Sequence, residues 1–158
     1  MLKLPKTIKM VITDFDGVIT DNNVYINEDF SMSRKLNFKD IMAFAVLKRN
    51  DIMVGIISGE ENSAIKLLSE KFKVDEIHQK IRVKIDVLKD IIRKYNLSQD
   101  EYVYIGDDIN DLECLNYAKY KITVPQAVRR VKEVENIQIT EHNAGEGAFR
   151  EVADCLTE

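Results

Sequence analysis

The sequence predicts an α/β fold, a three-layer sandwich in which helices cover both faces of a mainly parallel β-sheet. Along the chain, short apolar runs rich in β-branched residues alternate with segments of helical periodicity. The runs are continuously apolar, which is typical of parallel strands buried on both faces. Repeated units of strand, helix and strand are joined by right-handed crossovers and form one sheet.

Each element follows from its own pattern. The apolar runs predicted as strands are residues 8–13, 52–58, 74–78, 102–106 and 120–124. The segments predicted as helices are 40–49, 60–72, 82–95 and 108–118, with a short helix at the end of the chain. In the second of these helices, Ile65, Leu68 and Phe72 recur at helical spacing and give it one apolar face.

The segment 22–38 interrupts the alternation of strands and helices. It contains two β-like pieces, 24–27 and 33–38, around a polar turn with Glu28 and Asp29. This pattern predicts a β-hairpin. Because the segment follows the first strand, the hairpin is expected to lie over the edge where that strand ends, as a flap or as a surface for neighbouring subunits.

Composition limits the classes of function. With 158 residues, 45% of them hydrophobic, the chain is expected to form a single domain over residues 1–158, with a tail and helix at 141–158. The formal charge is −4 and the 23 basic residues are scattered, so no nucleic-acid partner is expected. No segment approaches the roughly 20 apolar residues of a membrane span, so no membrane partner is expected either. Cys114 and Cys155 lack metal-ligand spacing and are predicted to be buried free thiols of a cytoplasmic protein.

The first candidate site, "DFDGVIT", follows the first predicted strand. Asp16 followed by Gly17 is by itself ordinary turn chemistry. A calcium loop is excluded, because that loop needs glycine at its sixth position and follows a helix, whereas Gly17 stands fourth from Asp14 and follows a strand. Two carboxylates at i and i+2 can instead face Mg²⁺, one through its side chain and the other through its carbonyl.

A second acidic group, Asp107, Asp108 and Asp111, stands where the fourth predicted strand meets the next helix. Helix capping accounts for one or two of these residues. Because ligands bind beyond the carboxyl ends of parallel strands, both acidic groups are expected at one edge of the sheet. So many carboxylates would repel each other unless a divalent cation neutralises them or one of them holds a proton.

Two weaker signals fall at the same edge. Ser58 and Gly59 end the second predicted strand, where a hydroxyl and backbone amides can donate to a phosphate oxygen. A serine helix cap is the commoner explanation of such a residue. Lys80 and Lys84 lie near the end of the third strand, and one lysine there can balance the charge of a phosphate.

In combination these segments resemble the haloacid dehalogenase superfamily of aspartyl phosphotransferases. Its four motifs are matched in order by "DFDGVIT", "IISG", Lys84 and "GDDINDLE", of which the first and last are specific together. With "HQKIRVK" and "GEGAFRE", the chain is similar to the small capless subgroup, Rossmann-like in fold, that dephosphorylates 3-deoxy-2-ulosonate phosphates. Lys84 keeps the five-residue spacing of that subgroup from Gln79, which favours it over Lys80.

The resemblance implies a role for each candidate residue. Asp14 would be the nucleophile that forms an aspartyl-phosphate, and Asp16 would be the general acid and base. Mg²⁺ would be held by Asp14, the carbonyl of Asp16 and Asp107. The other implied roles are support of the metal site by Asp108 and Asp111, phosphate binding by Ser58, Gly59 and Lys84, and substrate binding by Thr20, Glu60 and Arg150.

Several positions bear on loop shape, substrate and assembly. Asn22 and Lys80 stand where the subgroup usually has glycine, which leaves the shape of two turns in question. Glu60 stands where eight-carbon octulosonate members usually carry arginine and nine-carbon members glutamate, which favours a nine-carbon, sialic-acid-type substrate. Arg150 is implied for the substrate carboxylate. Because members assemble as tetramers whose flaps cover the site, a homotetramer with residues 22–38 at the interface is expected.

Two other classes of protein fit part of the pattern. A receiver-type signalling module also combines an acidic pocket, a hydroxyl and a lysine, and it is phosphorylated on aspartate. Asp16 argues against that class, since it is a ready acid and base for rapid hydrolysis. The other class is a non-catalytic assembly module, against which the intact acidic set argues.

Overall fold

A computed structural model describes residues 1–158. The strands of the main sheet are β1 (Met10–Thr13), β4 (Met53–Ile57), β5 (Glu76–His78), β6 (Tyr102–Ile105), β7 (Tyr120–Thr123) and β8 (Gln138–Ile139). A separate hairpin consists of β2 (Tyr25–Ile26) and β3 (Met32–Ser33). The helices are α1 (Phe38–Arg49), α2 (Ser63–Phe72), α3 (Lys84–Lys94), α4 (Leu112–Tyr117), α5 (Arg129–Lys132) and α6 (Ala148–Thr157).

The six strands of the main sheet are all parallel and lie in the order β5-β4-β1-β6-β7-β8. All four residues of β1 are buried, and Val11 pairs with Val54 of β4 on one side and Val103 of β6 on the other. The chain runs outward from β1 to β5 and then returns to β6. Strand order therefore reverses next to β1, which is where ligands bind in open parallel sheets.

Hydrophobic clusters cover both faces of the main sheet. On one face, Val11 and Val103 belong to a cluster that includes residues of α1, α2 and α6. On the other face, Met10 and Tyr104 belong to a cluster that includes residues of α3, α4 and α5. Successive residues of a strand thus contribute to opposite layers, as expected when helices cover both faces. The predicted α/β sandwich is confirmed.

Several boundaries differ from those predicted. The second helix begins at Ser63 rather than at residue 60, because the side chain of Asn62 accepts a hydrogen bond from the N–H of Ile65 and caps the helix there. In the hairpin, the second strand is Met32–Ser33, earlier than predicted, while Leu36 forms an isolated bridge to Thr20. The two-residue β8 and the four-residue α5 were not predicted, since such short segments show no periodicity.

The two turns that lack the usual glycine keep the backbone conformation that glycine favours. Asn22 has φ = 65° and Lys80 has φ = 58°, both in the left-handed region. Asparagine visits this region more readily than most residues, whereas a lysine there costs on the order of 1 kcal/mol. The two substitutions therefore leave the backbone of these turns left-handed.

Two further features of the fold are the state of the cysteines and the lengths of the helices. Cys114 is a buried free thiol, and burial raises its pKa to about 12. Cys155 is also free but is half-buried and not fully buried as predicted, and its thiol donates to the carbonyl of Leu2 at 3.5 Å. Among the helices there is none with both the length and the apolar character needed to cross a bilayer.

Candidate active site

The predicted site residues meet beyond the carboxyl ends of the three central strands. Asp14 follows β1, Ser58 follows β4, and Asp107 comes shortly after β6. One cavity of about 170 Å³ opens at this point and has no hydrophobic residue in its lining. The lining residues are Asp14, Asp16, Asn22, Ser58, Gly59, Glu60, Asp107, Asp108 and Asn110.

Three buried carboxylates form the floor of the site. Asp14, Asp107 and Asp111 each have an oxygen within 4.8 Å of the others. Burial, followed by the negative charge of Asp111, raises the pKa of Asp14 well above its ordinary value, although Lys84 opposes this shift. Burial and the charges of Asp111 and Asp108 raise the pKa of Asp107 to about 7. Without a cation, Asp14 and Asp107 therefore tend to retain protons.

Asp111 supports the other site residues rather than facing a ligand. Its Oδ1 accepts hydrogen bonds from the ammonium of Lys84 at 2.9 Å and the hydroxyl of Tyr104 at 2.7 Å. Its Oδ2 accepts from the backbone N–H groups of Asp107 at 3.1 Å and Asp108 at 3.3 Å. Both oxygens are thus occupied by protein donors, and the supporting role of Asp111 at a metal site stays a prediction.

Asp107 is suited to bind a metal ion. Its Oδ1 is buried and has no hydrogen-bond partner in the protein, which is costly unless a ligand completes the site. Gly17, with φ = 89°, lets this carboxylate approach the loop after β1, since a Cβ there would lie 2.0 Å from Oδ2 of Asp107. Together with Asp14, it offers the hard oxygen ligands that Mg²⁺ prefers. The residues present fit a magnesium ion.

Lys84 is the first residue of α3 and its side chain is fully buried. Its ammonium lies 2.8 Å from Oδ2 of Asp14 and 2.9 Å from Oδ1 of Asp111. Burial alone would lower the pKa of this lysine, but the charges of Asp111 and Asp14 raise it overall. Lys84 is therefore a cation held against the candidate nucleophile, whereas Lys80 is exposed and pairs with Glu61.

Ser58 does not cap a helix, so the commoner explanation of this residue is wrong. Its hydroxyl is buried and accepts a hydrogen bond from the N–H of Glu60 at 3.2 Å, while Asn62 caps α2. Next to it, Gly59 is uncrowded, because a Cβ built there would make only an ordinary van der Waals contact with Asn110, at 3.5 Å. A phosphate could approach this backbone closely.

Capping accounts for only part of the second acidic group. The side chain of Asp108 accepts from the N–H of Ile109 and begins a short 3₁₀-helix, Ile109–Asp111, that precedes α4. Asp107 makes no comparable bond through its carboxylate. The helix-cap explanation therefore holds for Asp108 and leaves Asp107 for another role.

Asp16 is anchored by a residue that sequence reasoning missed. Its Oδ1 accepts from Nε of Arg34 at 2.8 Å and from Oγ1 of Thr20 at 3.0 Å. Arg34 belongs to the flap, and its side chain is only 5% exposed. Thr20 is fully buried and is not part of the cavity lining, so it supports Asp16 instead of contacting a substrate as predicted.

The two remaining substrate-binding candidates differ in position. Glu60 is exposed on the wall of the cavity. Arg150 instead pairs with Asp154 at 2.6 Å and lines a separate hollow of about 700 Å³ beside the N-terminus and α6. A single chain therefore does not bring Arg150 to the acidic cavity. Asn22 and Asn110, which do line it, carry no signal in the sequence that would have selected them.

Comparison with known proteins identifies the family. The sequence matches the haloacid dehalogenase-like hydrolase family over residues 11–152, a range that contains every candidate residue named above. The chain belongs to this family. For this haloacid dehalogenase-like hydrolase, the predicted enzyme class, a phosphoric monoester hydrolase, is confirmed.

Several relatives of the hydrolase carry the same description. It is 26% identical to the 3-deoxy-D-manno-octulosonate 8-phosphate phosphatase of Haemophilus influenzae, over 96% of this chain and 83% of that protein. The phosphatase of the same description from Moraxella catarrhalis, solved with magnesium ion, phosphate ion and KDO, is 26% identical with a TM-score of 0.89, covering 96% of this chain and 86% of that one. A cobalt-bound Haemophilus influenzae structure gives 25% identity and a TM-score of 0.88, covering 96% and 88%.

Without Mg²⁺, this hydrolase is expected to lose stability as the pH rises from about 5 to about 8. The folded chain holds a proton on Asp107 up to about pH 7, whereas the unfolded chain releases it near the ordinary value of 3.8. The stabilisation from this proton is complete below about pH 3.8 and is gone once the pH has risen through 7. Between these two values the free energy of unfolding falls by up to about 1.4 kcal/mol per pH unit.

Melting temperatures in EDTA across this pH range check the expectation. Adding Mg²⁺ at the upper end should restore much of the loss, and the variant Asp107→Asn should show a flatter profile than the wild type. A melting temperature that climbs steadily with pH in EDTA would contradict the assignment.

Proposed function

We propose that this hydrolase is a magnesium-dependent phosphatase of 3-deoxy-2-ulosonate phosphates that acts in the cytoplasm through an aspartyl-phosphate intermediate. The observation that carries the proposal is the buried ion pair of Asp14 and Lys84, beside the unpartnered carboxylate of Asp107 and the hydroxyl of Ser58, around one polar cavity. The phosphatase relatives support the substrate class.

Asp14 attacks the phosphorus atom, and the bond between phosphorus and the sugar oxygen breaks. Lys84 lies against Oδ2 of Asp14, so it offsets the repulsion between this carboxylate and the approaching phosphate. Ser58 and the amide of Gly59 donate to phosphoryl oxygens. Asp14, the carbonyl of Asp16 and Asp107 would hold Mg²⁺, which when bound would supply further charge neutralisation for the phosphate.

Asp16 completes both halves of the reaction. In the first half, its carboxylic acid gives a proton to the departing sugar oxygen. In the second half, the resulting carboxylate takes a proton from the water that attacks the aspartyl-phosphate, which releases inorganic phosphate and regenerates Asp14. The two carboxylates can divide the work because Asp14 is held by Lys84 while Asp16 is held by the flap and its own loop.

The flap supports the proposal of a homotetramer. Its strands and tip expose large apolar side chains, with Tyr25 at 64%, Ile26 at 70% and Phe30 at 88% of their full accessibility. Exposed apolar side chains concentrated in one segment are typical of a protein interface. Light scattering should give a mass four times that of the chain, and a stable, active monomer would contradict this part of the proposal.

The proposed function is tested by measuring phosphate release from 3-deoxy-D-manno-octulosonate 8-phosphate and from a nine-carbon ulosonate 9-phosphate. We expect turnover with Mg²⁺, none with EDTA, and restored turnover when excess Mg²⁺ is added back. A chain that becomes phosphorylated on Asp14 but does not turn over would be a receiver-type module. A chain that neither binds Mg²⁺ nor reacts would be an assembly module.

Glu60 is expected to help choose between the two substrates. It lies exposed on the cavity wall, and we expect the wild type to prefer the nine-carbon substrate. Glu60→Arg should shift the ratio of kcat/KM values toward the eight-carbon substrate by about tenfold or more. Glu61→Arg, at the exposed neighbouring position, is the control that tests for a general charge effect. An unchanged ratio in Glu60→Arg would remove Glu60 as a selector.

A further inference from the structure

We propose that Arg34 is a positioning residue that orients Asp16 and makes protonation of the leaving group depend on the flap. The inference rests on the proposed function, because it assigns a partner to the acid and base of that reaction. It concerns a residue whose side chain forms neither a hydrogen bond nor an ion pair with the nucleophile or with the candidate metal ligand Asp107, and that acts only through the carboxylate of Asp16.

The hydrogen bonds of Asp16 are one-sided. Both donors, Nε of Arg34 and Oγ1 of Thr20, reach the same oxygen, Oδ1. The other oxygen, Oδ2, accepts no hydrogen bond from the protein, and Asp16 lines the cavity. The carboxyl group is therefore fixed by one oxygen and presents the other to a ligand. Such an arrangement orients the oxygen that must carry the proton.

Arg34 is held in place for this contact. Its side chain is 5% exposed, although it belongs to a flap whose strands are exposed, and Asp16 is its only side-chain partner. The planar guanidinium gives the contact a defined direction that a lysine ammonium would not give. Lys35, the next residue, pairs instead with Asp21 at 2.8 Å and is half exposed.

The contact links two segments that are separate in the chain. Asp16 lies in the loop after β1, while Arg34 directly follows β3 of the flap. Thr20 contacts both the loop after β1 and the flap, because its hydroxyl donates to Asp16 and its backbone forms a β-bridge with Leu36. A displacement of the flap would withdraw Arg34 and free the carboxyl group to rotate. Correct protonation of the sugar oxygen thus requires the flap in its observed position.

Leaving groups of different basicity separate this role from others. An alkoxide leaving group, as in a sugar phosphate, needs a proton as the bond to phosphorus breaks, and general acid catalysis contributes roughly 10²- to 10⁴-fold to such steps. The nitrophenolate of p-nitrophenyl phosphate leaves without one. Loss of orientation at Asp16 should therefore slow the release of the sugar much more than the release of nitrophenolate.

The experiment compares wild type, Arg34→Gln and the control Lys35→Gln on octulosonate 8-phosphate and on p-nitrophenyl phosphate, with saturating Mg²⁺. It follows release of the leaving group in a single turnover with enzyme in excess, because the later hydrolysis of the aspartyl-phosphate, in which Asp16 is the base, is common to both substrates. For Arg34→Gln we expect the single-turnover rate on the sugar phosphate to fall by about 30-fold or more, within the range of general acid catalysis. KM should change little, and the single-turnover rate on p-nitrophenyl phosphate should stay within about threefold. Lys35→Gln should resemble the wild type on both substrates.

Each other result overturns the inference. Equal losses of the single-turnover rate on both esters would place the effect in nucleophilic attack or in the fold, and a raised KM with an unchanged single-turnover rate would make Arg34 a substrate-binding residue. Arg34→Lys keeps the charge and covers the case in which the glutamine variant fails to fold. It should show the same selective loss in weaker form, and equal losses on both esters would again count against the role. If the wild type hydrolyses neither ester, the proposed function itself fails.

Discussion

Asp14→Asn is expected to reduce phosphate release by about 10⁴-fold or more, a loss of the size seen when a catalytic nucleophile is removed. The amide is a poor nucleophile and also removes a charge that would hold Mg²⁺. The variant should still fold, because it removes one of three buried carboxylates that crowd together and repel each other. In EDTA its melting temperature should equal or exceed that of the wild type.

The control for this prediction is Asp90→Asn, the same chemical change at an exposed carboxylate on α3 that pairs only with Arg93. Its activity and stability should both match the wild type. Steady-state phosphate release at saturating substrate and Mg²⁺ provides the measurement. Full activity in Asp14→Asn would show that the nucleophile has been assigned to the wrong residue.

Lys84→Met is expected to combine a large loss of activity with a large loss of stability. The ammonium lies between Asp14 and Asp111, and removing one member of a buried ion pair costs about 3–5 kcal/mol, because the remaining charges are left buried and unpaired. Loss of the cation beside the nucleophile should also lower kcat by about 10²-fold or more. Urea unfolding in EDTA and phosphate release measure the two effects.

Two further variants separate the causes of this effect. Lys80→Met removes an exposed lysine and should change neither stability nor turnover appreciably. The double variant Lys84→Met with Asp111→Asn removes one of the stranded carboxylates, so it should recover part of the stability and none of the activity. A Lys84→Met protein as stable and as active as the wild type would show that the buried pair has no role.

The strand ends could be predicted from the sequence because they depend on local pattern. Each continuous apolar run marks a buried parallel strand, and the polar residues that end three of these runs, Asp14, Ser58 and Asp107, must lie at one edge once the strands are parallel. The structure places these three around one cavity. Helix starts were predicted less accurately, because a single hydrogen bond, such as the one that the side chain of Asn62 accepts, decides where a helix begins.

The roles of individual side chains needed the tertiary structure. The resemblance implied a supporting role for Asp111, and only the four donors around it show that its oxygens are occupied. The resemblance implied substrate binding by Arg150, yet in α6 this residue pairs with Asp154 and lines a separate hollow.

By itself, then, the sequence determined the order of strands and helices, the parallel sheet and the carboxylates that end β1 and β6. The tertiary structure alone decided that Arg34 of the flap reaches Asp16, that Lys84 lies between Asp14 and Asp111, and that Gly17 makes room for Asp107. The physical reason is that sequence patterns carry information only about residues close together in the chain. Periodicity records which face of a residue's own element is buried, whereas a contact between distant segments depends on how several packed elements meet.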